Sequence, residues 1–105
     1  MKIPKKIKLF GCDYEIRQLE QVDENDSNLG LCLVDEGVIK IVSSKSKGKK
    51  GERFSEQKRK QVLLHELVHL MFYAIGEEDL YENEKIVDNM ANCLMEIIPQ
   101  LEDKK

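Results

Sequence analysis

The sequence predicts a small α+β domain, with an antiparallel sheet of three to four strands in residues 1–42 followed by two main helices. Three observations carry that expectation. Short β-rich runs separated by turn residues fill the first part of the chain. A long apolar stretch with helical start and stop signals follows a Ser-, Gly- and Lys-rich break. A second stretch with helical periodicity then runs up to a proline. At 105 residues the chain is sized for one domain with a single core. Its 41% hydrophobic and 35% charged content fits a globular protein rather than a disordered one.

The elements follow in order. "IKLF" (7–10) and "YEIRQLE" (14–20) flank a turn-like break at "GCD", and Tyr14 and Ile16 alternate with charged neighbours. "VDENDSN" (22–28) is polar and rich in Asn and Asp, so it is expected to be a loop. "LGLCLV" and "VIKIV" are β-rich runs joined by "DEG", residue types suited to a hairpin turn. Residues 43–54 form a basic loop, with Lys45, Lys47, Lys49, Lys50 and Arg53 and no periodicity. No aromatic residue lies between these cations to stack a base, so a solvated loop is expected rather than a nucleic-acid contact. Ser55 is a good N-cap, and the helix it opens should run over 55–75 with Gly76 just past its end. "EEDLYEN" reads as a short connection, and the second helix is expected over 80–98, ending near Pro99. The tail "EDKK" should fray.

Several function classes lose ground at this stage. A net charge of −3 provides no general attraction for nucleic acid. The longest apolar run is too short and too polar to span a bilayer. The first ten residues carry positive charge without the apolar core of a signal peptide. Three cysteines, Cys12, Cys32 and Cys93, are an odd number with no C-x-x-C spacing. They argue for reduced thiols in a cytoplasm, against a disulfide framework or thiolate zinc site.

The first helix holds the functional question. Both histidines of the chain lie in "HELVH", 65–69. With His65 at zero on a helical wheel, His69 falls at about 40°, Tyr73 at about 80° and Glu66 at about 100°. Nearly all the other residues between Val62 and Ile75 are apolar, which marks a buried helix carrying one polar stripe. Two core histidines are the plain alternative, but they would not account for the neighbouring carboxylate. Histidines at i and i+4 can converge on one zinc ion, while the glutamate between them stands aside, within reach of water at the metal.

A third ligand must come from elsewhere, and the second helix offers Glu82, Glu84 and Asp88. With Glu84 at zero, the apolar residues of that helix span about 200° to 340°, Asp88 lies near 40° and Glu82 near 160°. Glu84 therefore sits against the apolar arc, where an unpaired carboxylate is costly and a cation is the natural partner. Asp88, one turn on, is placed to accept the second N–H of a ligand histidine.

These residues resemble the gluzincin metallopeptidases. "HELVH" matches their zinc helix, and "NEKIVD" (83–88) resembles the Asn-Glu-x-x-x-Asp segment of thermolysin-like enzymes. A small sheet before two helices looks more like the ImmA/IrrE-type metallopeptidases, including short forms carried by phages. The resemblance implies that His65, His69 and Glu84 bind Zn²⁺, that Glu66 is the catalytic base, and that Asp88 orients a histidine. The interval from His69 to Glu84 is shorter than in larger gluzincins, and their oxyanion-binding His or Tyr has no mapped counterpart.

The expected function is zinc-dependent hydrolysis of a peptide bond in a cytoplasmic protein substrate, such as a regulator. Tyr73 or Tyr81 would support the oxyanion, and a substrate strand would pair with an exposed sheet edge, the 38–42 strand. The competing expectation is a catalytically silent binding module in which zinc staples the two helices together.

Overall fold

A computed structural model describes residues 2–23, 28–48 and 50–102. The centre of the expected 22–28 loop (24–27), Lys49 of the basic stretch and tail residues 103–105 lie outside the described residues.

Four strands form one sheet: β1 (Lys6–Leu9), β2 (Cys12–Leu19), β3 (Gly30–Leu33) and β4 (Val38–Val42), in the spatial order β1-β2-β4-β3. β1 and β2 are antiparallel, with Leu9 opposite Cys12. The two residues between them, Phe10 and Gly11, have φ of 51° and 79°. Positive φ at both centres is the mirror-image turn whose twist suits a two-residue hairpin. β3 and β4 are also antiparallel, closed by Glu36 and Gly37 N–H groups that donate to the Leu33 and Val34 carbonyls.

The α+β class is the one the sequence predicts, but the sheet is mixed: β2 and β4 run parallel, Glu15 opposite Val38 and Leu19 opposite Val42. The reason lies in β4 itself. Val38, Ile39, Ile41 and Val42 are all buried, so the strand presents apolar side chains to both faces. Such a strand is stable only in the interior of a covered sheet. β4 therefore takes the place beside β2, and the Gly-containing β3 is left at the edge.

Helix α1 (Glu56–Ala74) lies between the sheet and α3 (Glu84–Glu102). The Ser55 hydroxyl accepts the Lys58 N–H at 3.0 Å. At the other end Gly76, at φ 79°, donates to the Tyr73 carbonyl, and Glu77 N–H reaches the Phe72 carbonyl. That pair of bonds is a Schellman stop, and it needs the left-handed residue that glycine supplies. Val62, Leu63 and Leu70 pack on Tyr14, Ile16, Ile39 and Ile41 of the sheet. Leu64 and Val68 pack on Val87 and Ala91 of α3, while Leu67 touches both clusters. An all-round apolar helix is thus buried on two sides, and its polar stripe is directed to the remaining one.

The described part of the basic stretch is a loop, tied down at Ser46, which is buried with its hydroxyl 3.0 and 2.9 Å from the Leu19 and Glu20 carbonyls. Beyond it Lys47 and Arg53 pair through an isolated antiparallel backbone bridge. One expectation is corrected: "EEDLYEN" is not plain connection, since it contains a one-turn helix, α2 (Glu78–Tyr81). α3 then starts at Glu84 rather than 80 and passes through Pro99 to Glu102. Pro99 lacks one helical N–H, but it lies in the exposed last turn, where that loss disturbs little. No helix of the described residues is long and apolar enough to cross a membrane.

Arg59 joins α1 to the sheet from within. It is buried; its Nε donates to the Val42 carbonyl at 3.1 Å and its Nη2 to Gln18 Oε1. Arg59→Met fills similar space but leaves two acceptors without their charged donor. A loss of about 2–3 kcal/mol in unfolding free energy is expected by urea titration. A change within about 0.5 kcal/mol, the range of an ordinary surface substitution, would show that water replaces the guanidinium without penalty.

Candidate metal centre

The polar stripe of α1 faces the start of α3. His65 Nε2 lies 3.0 Å from Glu84 Oε1, and His69 Nε2 lies 3.1 Å from Glu84 Oε2. One ligand atom from each of the three residues falls within 4.8 Å of the others. The opposite nitrogens are also engaged. His65 Nδ1 lies 2.7 Å from Asp88 Oδ1, and His69 Nδ1 lies 2.7 Å from the Tyr81 carbonyl oxygen.

This pattern of donors and acceptors points to a cation. The Tyr81 carbonyl can only accept, so His69 Nδ1 carries the proton, and the Asp88 carboxylate asks the same of His65. A neutral imidazole then has only a lone pair on Nε2. Both lone pairs are directed at carboxylate oxygens about 3 Å away, which is repulsive unless both rings are doubly protonated or a cation sits among them. Two ligands on one tetrahedral zinc, each at about 2.0–2.1 Å, stand about 3.3 Å apart. The observed 3.0 and 3.1 Å are close to that. The cluster His65–His69–Glu84 can therefore hold a metal ion.

Glu84 arrives there for a different reason than the wheel supplies. Its side chain is 66% exposed, so it is not a buried carboxylate in need of a counter-ion. What places it is the helix start. Asn83 Oδ1 accepts the Ile86 N–H at 3.1 Å, which makes Asn83 the N-cap and Glu84 the first helical residue. A carboxylate is favourable at that end of a helix dipole, and Asp88 follows one turn later on the same face. The Asn-Glu pair was the available sequence signal for this start. Glu82 lies at the end of α2 and lines the groove without joining the cluster. Asn92 accepts a bond from Gln61 Nε2, tying α3 to α1.

Glu66 is 8% exposed and points towards the sheet side of the cluster. Burial pushes its carboxyl up to about 7; the His65 ring opposes that and Glu84 adds to it. β3 runs directly over it. A Cβ on Gly30 would come within 2.7 Å of Val62 and 3.0 Å of the Glu66 carboxylate, so any side chain here would have to displace one of them. Cys32, two residues along, has its thiol pushed up to about 12 by burial, with the nearby Glu66 charge adding to it. A cavity of about 450 Å³ opens between this strand and the histidines, lined by Gly30, Cys32, His65, Glu66, His69 and Tyr81 among others. Gly30, Cys32 and the Tyr81 carbonyl were not among the residues the sequence singled out for this site.

The two tyrosines are separated by role. The Tyr81 ring stands edge-on to His69, centroids 5.3 Å apart, and Tyr81 lines the cavity. Tyr73 lies 6.1 Å beyond Tyr81 and lines a neighbouring cavity of about 390 Å³. The edge beside the centre is β3, whereas the 38–42 strand is interior.

No protein-family model, curated protein or solved structure matches this chain. The site's chemistry rests on its own geometry.

Proposed function

We propose that the protein is a zinc-dependent peptidase of ImmA/IrrE-like type, cleaving a bond within a cytoplasmic protein substrate. The single observation behind this is that both Nε2 atoms face one carboxylate while both Nδ1 atoms are held elsewhere. Two imidazoles favour zinc over calcium or magnesium, which prefer all-oxygen sites. Bound there, zinc supplies an electrophilic centre that acidifies water and polarises a peptide carbonyl.

The chain's own groups do the rest. Glu66 takes a proton from the attacking water as its oxygen bonds to the carbonyl carbon. It then delivers that proton to the amine as the C–N bond breaks. In the metal-free chain burial raises this carboxyl towards neutral pH, the range in which a general base works best. Asp88 and the Tyr81 carbonyl hold the two rings in the tautomer that frees Nε2. The Tyr81 hydroxyl would donate to an oxyanion, since its ring stands beside His69 and lines the cavity. β3, an edge strand among the described residues, would pair with an extended substrate lying across Glu66.

The test begins with zinc analysis of the purified protein, followed by incubation of zinc-loaded protein with a random peptide library. One zinc per chain is expected, with internal bonds cut, cleavage stopped by a chelator and restored by zinc. Failure to bind zinc, or cleavage indifferent to the chelator, would remove this reading. Zinc bound by four protein ligands, with no cleavage, would favour the zinc-stapled binding module instead.

A further inference from the structure

The neighbouring cavity of about 390 Å³ shares Tyr81 and Glu82 with the cavity that holds the histidines. Its walls come from three places. Tyr73 stands in the last turn of α1, and Asp35 in the turn between β3 and β4. Glu78, Tyr81 and Glu82, at i, i+3 and i+4, share one face of α2 and its C-cap. The two tyrosine rings are tilted by 56°, with centroids 6.1 Å apart. Among the described residues no cation pairs with Asp35, Glu78 or Glu82, and no Lys, Arg or His lines this cavity. The groove is not acidic throughout. On the other side of the histidines it continues in a cavity lined by Lys58 beside Asp88, which already holds His65. Lys58 also lines the next cavity, together with Lys50 and Arg53. Unpaired negative charge is thus gathered at one end of the groove, in a chain whose net charge is only −3.

We propose that the cavity between Tyr73 and Tyr81 is a specificity pocket that takes a lysine or arginine side chain of the substrate. Carboxylates from two elements around a pair of aromatic rings suit a cation. The rings attract it over their faces, and the carboxylates accept its N–H groups. An apolar side chain would cover the carboxylates without replacing their water, and an acidic one would meet like charge. Two ring-to-ring steps, of 5.3 and 6.1 Å, lead from His69 to Tyr73. An extended chain covers that distance in about three residues, so the basic residue lies that close to the cleaved bond. Its place relative to a cut rests on the peptidase reading, whereas the pocket's affinity for a cation does not.

Cleavage of a random peptide library by the zinc-loaded protein should enrich Lys and Arg at one position within about three residues of the cut, on one side only. A generally acidic surface would favour cations on both sides. Asp35→Asn combined with Glu78→Gln should retain one zinc per chain. It should lower the preference for an arginine over a norleucine peptide, read as the ratio of their kcat/KM values, about tenfold. A second measurement needs no cleavage. Titration with Nα-acetyl-arginine amide, followed by NMR, should shift the Tyr73 and Tyr81 ring signals, while its uncharged citrulline counterpart should not. Where the library is cut, its profile decides; where it is not, the titration does. Cleavage without a one-sided basic preference, or a preference untouched by the double variant, overturns the pocket and leaves the peptidase reading standing. No cleavage, with the arginine amide bound at the tyrosines, removes the peptidase reading and keeps the cation pocket. No cleavage and no shift overturn both.

Discussion

Glu66→Gln is expected to keep one zinc per chain and a wild-type fold while cleavage falls by at least about 10²–10⁴-fold, the range that a positioned general base contributes. The amide has the shape of the carboxylate but cannot accept the proton of the attacking water. Because Glu66 is outside the His65–His69–Glu84 cluster, metal affinity should barely move. Folding should not suffer either. Burial raises the Glu66 carboxyl to about 7, so its neutral form is the one the metal-free fold prefers. The stability associated with that neutral form is present at acid pH and is lost as pH rises through about 7. A neutral amide avoids that loss, so the metal-free variant should be at least as stable as the wild type above pH 7. Turnover of an identified peptide by the variant at the wild-type rate would rule out Glu66 as the base. Zinc content and unfolding temperature, measured on the same sample, separate that result from simple misfolding.

Much of this centre is legible in the sequence because helical periodicity is reliable over a few turns. His65 and His69 share a face wherever the helix begins, and so do Glu84 and Asp88. The argument for Glu84 nevertheless leaned on burial, and a wheel assigns only direction. It cannot say that the first residue of a helix protrudes beyond its neighbour, as this 66% exposed side chain does. The Tyr81 carbonyl was not legible at all. It depends on α2, a single turn whose ends are set by bonds such as Tyr81 N–H to the Glu77 carbonyl rather than by any side-chain pattern.

The sheet shows the complementary failure. Each strand was recognisable from its residues, but the neighbours of each strand were not. Hairpin turns specify local antiparallel pairs, and both local pairs are present. The parallel β2–β4 pair is non-local and was hidden behind the 22–28 loop. One clue was available: "VIKIV" lacks the in–out alternation of "YEIRQLE", as an interior strand should. Weighing it would have moved the exposed edge from 38–42 to Gly30–Leu33, beside Glu66, where the proposed substrate strand would lie.

Removing ligands one at a time gives the second large effect. His65→Ala, His69→Ala and Glu84→Ala are each expected to lose stoichiometric zinc, whereas Glu82→Ala, one residue from the α3 cap and outside the cluster, should retain it. Asp88→Asn should fall between, weakening zinc binding by about 10–100-fold, since it alters only the partner that holds the His65 ring. The ligand variants should also unfold at a lower temperature than zinc-loaded wild type but close to the chelated wild type. A ligand that binds only the folded chain adds about 4 kcal/mol at a thousandfold excess over its dissociation constant, and that increment disappears with the site. Glu84→Ala is the decisive member of the series. Both histidines remain on α1, so zinc retained at full affinity would mean that the α3 carboxylate is not a ligand and that the gluzincin comparison fails at its third residue. Zinc lost from Glu84→Ala but kept by Glu82→Ala would show that the two helices meet around one ion.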